Sequence, residues 1–176
     1  MKILVEGIPA AGRDVELALR DGWAAEAAEV ALDRAPTRLS GVISLKRAST
    51  KGVVLVGVRA EAVRAGSCDR CGEPCELVVR SEANLLYAPE EAGSAAYDGG
   101  EIELEVDDLD LGWYTGGELS LEDVLREALT LALPTRVTCT DTVGCDMRTD
   151  ALLAATRPSE SPFAVLGRLK SRPDPE

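Results

Sequence analysis

Alternation of apolar and polar positions is clearest between residues 51 and 88. In KGVVLVGVRAEAVRA (51–65), Val54, Val56, Val58, Ala60 and Ala62 share one parity, and beyond Arg59 the other parity turns charged. A period of two places successive side chains on opposite faces, so this stretch predicts a strand with one buried face. ELVVRSEANLLYA (76–88) repeats the pattern, with Leu77, Val79, Ser81, Ala83, Leu85 and Tyr87 in register. Between them lies CDRCGEPC, and the simplest geometry is an antiparallel hairpin with cysteines at its tip. Weaker alternation predicts a strand in SGVISLKR (40–47) and a short strand or lead-in over 2–8. EIELEVDD (101–108) sets Ile102, Leu104 and Val106 against a charged face, and 89–100 reads as a loop.

Helical spacing appears on either side of these strands. DGWAAEAAEVALDR (21–34) is rich in helix formers, with Asp21 as cap, Pro36 beyond the end, and Trp23, Ala27, Val30 and Ala31 on one face. In SLEDVLREALTLAL (120–133), Ser120 and Asp123 resemble a capping box. Leu121, Val124, Leu125, Ala128, Leu129, Ala132 and Leu133 then recur at i, i+3 and i+4, Glu122 and Arg126 lie one turn apart, and Pro134 ends the run. A short helix is expected around 148–156. In SPFAVLGRLK (161–170), Ser161 is an N-cap, Pro162 takes the first helical position, and Phe163, Leu166 and Leu169 share a side. Strands clustered over 40–107 with helices around them predict an α+β fold: an antiparallel sheet with flanking helices. Whether the sheet curls into a barrel is not decided by strand count. A single domain over 1–170 is expected, with a frayed tail over 171–176.

Composition narrows the functions open to such a fold. Aromatics make up only 3% of the chain, so the core is built from Leu, Val, Ile and Ala. Net charge is −12, which disfavours unaided binding to a phosphate backbone and suits a basic partner. Histidine is absent, which removes His acid–base catalysis, Ser-His and Cys-His nucleophile pairs, and every His-containing zinc set. The apolar stretch in MKILVEGIPAAGRD is too short for a signal peptide, and no run approaches a membrane helix. A cytoplasmic protein is expected, where clustered cysteines point to metal or transient redox chemistry. The plainer reading of the carboxylates in 101–108 is a solvated strand face.

Cys68, Cys71 and Cys75 fall in eight residues; Cys139 and Cys145 follow in CTDTVGC. Cys-x2-Cys followed by Gly is a tight knuckle that turns both sulfurs to one side. Three readings stay open. Zinc held by Cys68, Cys71, Cys139 and Cys145 would tie the hairpin tip to the segment after the Ser120 helix, although five residues between the second pair is not knuckle spacing. A metal-free cluster of small hydrophobic thiols is the second. Thioredoxin-like redox chemistry at Cys68 and Cys71 is the third; it normally uses a helix N-terminus, and here a strand follows. Cys75 is left out of the chemistry. Arg59, Arg64, Arg70 and Arg80 near the tip are diluted by Glu61, Glu73, Glu76 and Glu82 and read as solvated hairpin charge; Trp113 and Phe163 read as packing residues.

Four blocks in order carry a resemblance: SCDRCGEPC, GGELSLEDVLREALTLALP, CTDTVGC and SPFAVLGRLK. Together they resemble the YceD family, also called large ribosomal RNA subunit accumulation protein, over nearly the whole chain. The resemblance implies a cytoplasmic, non-catalytic factor in large-subunit ribosomal RNA accumulation and ribosome biogenesis. Its partner would be a ribosomal protein or a pre-50S particle, with no small-molecule substrate and no membrane. Cysteine-rich relatives suggest zinc. Many carry a fuller set after the Leu-Pro, whereas this chain has only Cys139 and Cys145 there. The alternatives are a cytosolic thiol-disulfide oxidoreductase and a zinc-ribbon module that binds nucleic acid.

Overall fold

A computed structural model describes residues 1–90 and 111–156, together with Phe163. In chain order these form β1 (Lys2–Leu4), a single 3-10 turn, β2 (Arg13–Ala18), α1 (Gly22–Leu32), β3 (Arg38–Arg47), β4 (Val54–Ser67) and β5 (Pro74–Pro89). β6 (Leu111–Tyr114), β7 (Glu118–Ser120), α2 (Leu121–Leu131) and α3 (Thr142–Thr156) complete the described chain. The strand expected over 101–108 and the closing helix and tail over 161–176 lie outside the described residues, Phe163 excepted.

β2-β3-β4-β5-β6 form one sheet in that order, and β1 pairs with β7 in a small ribbon. The fold is α+β and the sheet is open, with β2 and β6 at its edges rather than a closed barrel. Pairing is antiparallel from β2 to β5, while β6 joins parallel to β5, from Leu86 opposite Leu111 to Pro89 opposite Tyr114. The spine is β4–β5, paired from Val54–Tyr87 to Ser67–Pro74. Its period of two delivers the predicted face: Val54, Val56, Val58, Ala60 and Ala62 are buried, as are Leu77, Val79, Ser81 and Tyr87.

Both α1 and α2 are amphipathic and pack against each other, with α2 also against β4 and β5. Ser120 caps α2, its hydroxyl accepting from the Asp123 N–H at 3.4 Å. Leu121, Val124, Leu125, Ala128 and Leu129 enter the core; Ala132 and Leu133 lie past the helix and are half-buried. Tyr87 on β5 donates to Glu127 Oε2 of α2 at 2.8 Å, which joins sheet to helix through a polar contact at the rim of the core.

Several local expectations change. α1 buries Ala24, Ala27, Ala28, Ala31 and Leu32, whereas Val30 is 65% exposed, so the buried stripe is rotated from the expected one. Asp21 is the N-cap residue of α1, its carbonyl accepting from the Ala24 and Ala25 N–H groups, but its carboxylate turns back to accept from the Ala18 N–H. Arg126 pairs with Asp123 at 2.5 Å rather than with Glu122. β2, β6 and β7 occupy segments for which the alternation predicts nothing. Trp113 sits on β6 about half exposed, and Phe163 is exposed, so neither is a core residue.

Removing the Leu125 side chain from this core by Leu125→Ala is expected to cost about 2–5 kcal/mol in chemical denaturation. Val30→Ser is expected to stay within about 0.5 kcal/mol. Equal losses from the two would contradict the rotated stripe on α1.

Candidate metal centre

The β4–β5 ladder ends at Ser67–Pro74, which leaves residues 68–73 to make the turn. Gly72 takes φ +78°, a conformation that favours glycine, and its N–H donates to the Cys68 carbonyl at 2.9 Å. The Cys68 N–H donates to the Glu73 carbonyl at 2.8 Å, closing the knuckle. The turn aims backbone N–H groups at sulfur: those of Cys71 and Arg70 at Cys68, and that of Glu73 at Cys71. No helix follows Cys71, so the dipole that activates a thioredoxin-type cysteine is absent from this motif.

The second pair arrives from two different structures, which accounts for its spacing. Cys139 stands on the irregular segment after α2. Cys145 stands in the first turn of α3, which begins at Thr142 and not near Arg148 as expected. Asp141 acts as its N-cap, accepting from the Gly144 N–H at 3.0 Å. Asp69 of the hairpin tip anchors the incoming segment twice: its N–H donates to the Val137 carbonyl at 2.7 Å, and its carboxylate accepts from the Val137 N–H at 2.6 Å. Arg70 pairs with Asp146 across the same junction.

These constraints bring Cys68, Cys71, Cys139 and Cys145 together, with all four sulfurs within 4.8 Å of one another. Cys68 and Cys145 Sγ are 3.7 Å apart, and Cys71 and Cys139 Sγ 3.5 Å apart. Four thiolates at ~2.3 Å from a tetrahedral zinc would sit about 3.8 Å from each other, so the donor set and its size both suit such an ion. Cys68, Cys71 and Cys145 are 2–5% exposed and Cys139 is half-buried. All five cysteines are free thiols, and Cys75 packs against the cluster without joining the four.

The electrostatics divide the four into two kinds. Donation from the Cys71 N–H draws the Cys68 thiol down to about 6, and the Glu73 N–H lowers Cys71. Sharing a proton with Cys71 pushes Cys139 up to about 12, and burial raises Cys145. Cys68 is therefore a thiolate at neutral pH beside protonated Cys139 and Cys145, Cys71 is shifted in the same direction as Cys68, and S–H···S contacts draw the partly anionic cage together. Burial raises Cys75 as well, with the Cys68 and Cys71 charges adding to it, which keeps it a neutral thiol. Arg148, one turn beyond Cys145, points its Nη2 at Cys139 Sγ from 3.6 Å.

Sequence reasoning named the four sulfurs but missed Asp69, Asp141 and Arg148. Asp141 had a signal in CTDTVGC, where an N-cap residue precedes Gly144 by three. Arg148 had none, because its role depends on where α3 begins. Of the tip arginines, Arg80 pairs with Glu61 at 2.7 Å and Arg64 donates to the Ala65 carbonyl at 3.1 Å, in keeping with hairpin surface charge.

An open α+β sheet whose longest hairpin ends in a four-thiol cage, with a helix fastened to it, defines a small cysteine-cage protein. Residues 56–170 match the family model described as large ribosomal RNA subunit accumulation protein YceD. The match spans more than half of the chain, and the chain belongs to that family. Neither the curated proteins nor the solved structures give a match.

Asp69→Ala is expected to raise the exchange rate of the Val137 amide a few-fold, about what one modest hydrogen bond protects, since the N–H loses its acceptor. Hydrogen exchange resolved to residues 135–141 reads this; unchanged protection would show that the Asp69 clamp carries no weight.

Proposed function

We propose that this protein is a non-catalytic factor in large-subunit ribosomal RNA accumulation, acting by binding, with Cys68, Cys71, Cys139 and Cys145 holding a structural zinc. The observation that carries the reading is the closed four-sulfur cage in a chain of this family. Four protein ligands fill a tetrahedral ion and leave no position for a substrate or water, which is the pattern of structural rather than catalytic sites. Bound zinc would supply cross-linking of the hairpin tip to the head of α3.

Binding is further supported by α3 itself. Its one buried residue is Cys145, and Val143, Met147, Leu152 and Leu153 are exposed along it. A helix presenting apolar side chains while anchored at its first turn is shaped for contact with another molecule. The net charge of −12 favours a basic ribosomal protein, or a protein–RNA surface of a pre-50S particle rich in Arg and Lys, over bare RNA. A thiol-disulfide oxidoreductase is the weaker reading: Cys68 and Cys71 face inward at 2% and 5% exposure, out of reach of a substrate disulfide. A zinc-ribbon nucleic-acid module lacks support because Arg70 and Arg80 at the tip are already paired. No helix among the described residues is long and apolar enough to cross a membrane, and we place the protein in the cytoplasm with its ribosomal partner.

Protein purified without chelator is expected to carry one zinc per chain. Cys68→Ser and Cys145→Ser should lose it, and Cys75→Ser should retain it, by metal analysis. Loading the metal-free chain at neutral pH should release protons, those of Cys139 and Cys145 among them, because both thiols are held above their ordinary range. As pH falls through about 6, Cys68 also takes up a proton and zinc affinity should drop more steeply. Co-sedimentation with pre-50S particles tests the cellular role. Absence from every ribosomal fraction at mild salt, with normal large-subunit RNA in a deletion strain, would sink it.

A further inference from the structure

We propose that Arg148 is the non-ligating fifth member of the centre, whose guanidinium donates to the Cys139 sulfur, compensates the anionic cage and shields its most accessible ligand. The inference rests on the zinc reading of the four cysteines and concerns a residue outside that ligand set.

Geometry makes the case. Arg148 follows Cys145 by three positions on α3, so one helix turn projects both side chains to the same side. Its Nη2 lies 3.6 Å from Cys139 Sγ. Its Nε is sealed from solvent and has no hydrogen-bond partner. The sealed Nε leaves the half-buried guanidinium less well solvated than a surface arginine, which favours an electron-rich group beside it. Among the described residues no carboxylate is within ion-pairing distance of Arg148. The Cys139 sulfur lies beside it instead, and would become an anion once the four cysteines hold the ion. Gly144 provides the room: a Cβ there would collide with the Asp141 carboxylate and stand 3.0 Å from Arg148 Nη1. The opening of α3 is thus cleared for the N-cap and for the arginine together.

Four thiolates around a divalent ion carry two excess negative charges, and Arg148 halves that excess. N–H donation to a metal-bound sulfur also withdraws its lone-pair density, which slows attack on electrophiles and oxidants. The need is greatest at Cys139, since Cys68, Cys71 and Cys145 are shielded by burial and Cys139 is only half-buried.

The test uses the full zinc-loaded chain as wild type, Arg148→Met and Arg148→Lys. Zinc affinity is measured by competition with a chromophoric chelator. Alkylation of each cysteine by N-ethylmaleimide is followed by mass spectrometry. Arg148→Met is expected to weaken zinc affinity by about 10–100-fold and to accelerate labelling selectively at Cys139. Arg148→Lys, which keeps the charge but not the fork, should restore part of both. Wild-type behaviour of Arg148→Met in both assays would overturn the proposal. So would equal acceleration at all four cysteines with loss of α3 amide protection, which marks a role in holding the helix alone. A wild-type chain that binds no zinc overturns the zinc reading and this inference together; a zinc-binding wild type with an indifferent Arg148→Met overturns only the latter.

Discussion

The pairing of β4 with β5 is the constraint on which the rest depends. Its register, from Val54–Tyr87 to Ser67–Pro74, does two jobs along one ladder. At one end it turns Val54, Val56 and Val58 inward against α2, and at the other it delivers Cys68 and Cys71 into a six-residue turn. A slip by one residue would expose the apolar set and turn the charged parity inward, so the buried face resists it strongly. The same resistance holds the turn at a fixed length, and with it the inward aim of both sulfurs. Core packing thereby positions a site it does not touch.

Two cores result, and they differ in chemistry. The larger is aliphatic, with Ile43, Leu45, Leu125 and Leu129 at its centre, and draws its stability from removing apolar surface from water. The smaller consists of the cysteines alone. Three buried thiols and two half-buried ones cover too little apolar area to anchor a fifteen-residue helix by hydrophobic burial, yet Cys145 is the only residue α3 buries. The attachment instead uses polar contacts from the hairpin tip: Asp69 with Val137 and Arg70 with Asp146. Each is exposed or partly so and worth little alone. The proposed zinc, shared by the four sulfurs, would add a tie far stronger than any of these contacts.

How much of this was legible follows from how much each element buries. β3, β4, β5 and α2 each bury a full stripe, so their spacing announced them, down to Ser120 as the cap of α2. β2 fully buries only Leu17, with Val15 half-buried, and the alternation in its DVEL is too short to stand out. α3 buries only Cys145, so apolar periodicity cannot mark its start, and the helix was expected six residues late. That displacement hid the reason for the Cys139–Cys145 spacing, which looked wrong for a knuckle because it is a loop ligand followed by a helix ligand. On α1 the error was subtler: alanines at 24, 27, 28 and 31 form the buried stripe, and Val30 misled because a larger side chain attracts the eye. The sulfurs themselves were legible because cysteine is rare enough to stand out; their supporting Asp69 and Arg148 were not, since acids and arginines are common in this chain.

Separate cores imply separate fates. The aliphatic core contains no cysteine, and no strand of the five-stranded sheet needs a metal to pair. If the four sulfurs hold zinc as proposed, its loss should leave β2 to β6, α1 and α2 folded, and free the hairpin tip, the segment carrying Cys139, and α3. Local opening of this kind lies at the low end of the stability range within a protein. It is also the end at which contact surfaces are usually found. If α3 is a contact element, as proposed, the centre governs presentation of that element and not survival of the fold. The body is held by the β4–β5 register and its aliphatic face, and the sulfurs bear on how firmly the helix is held out.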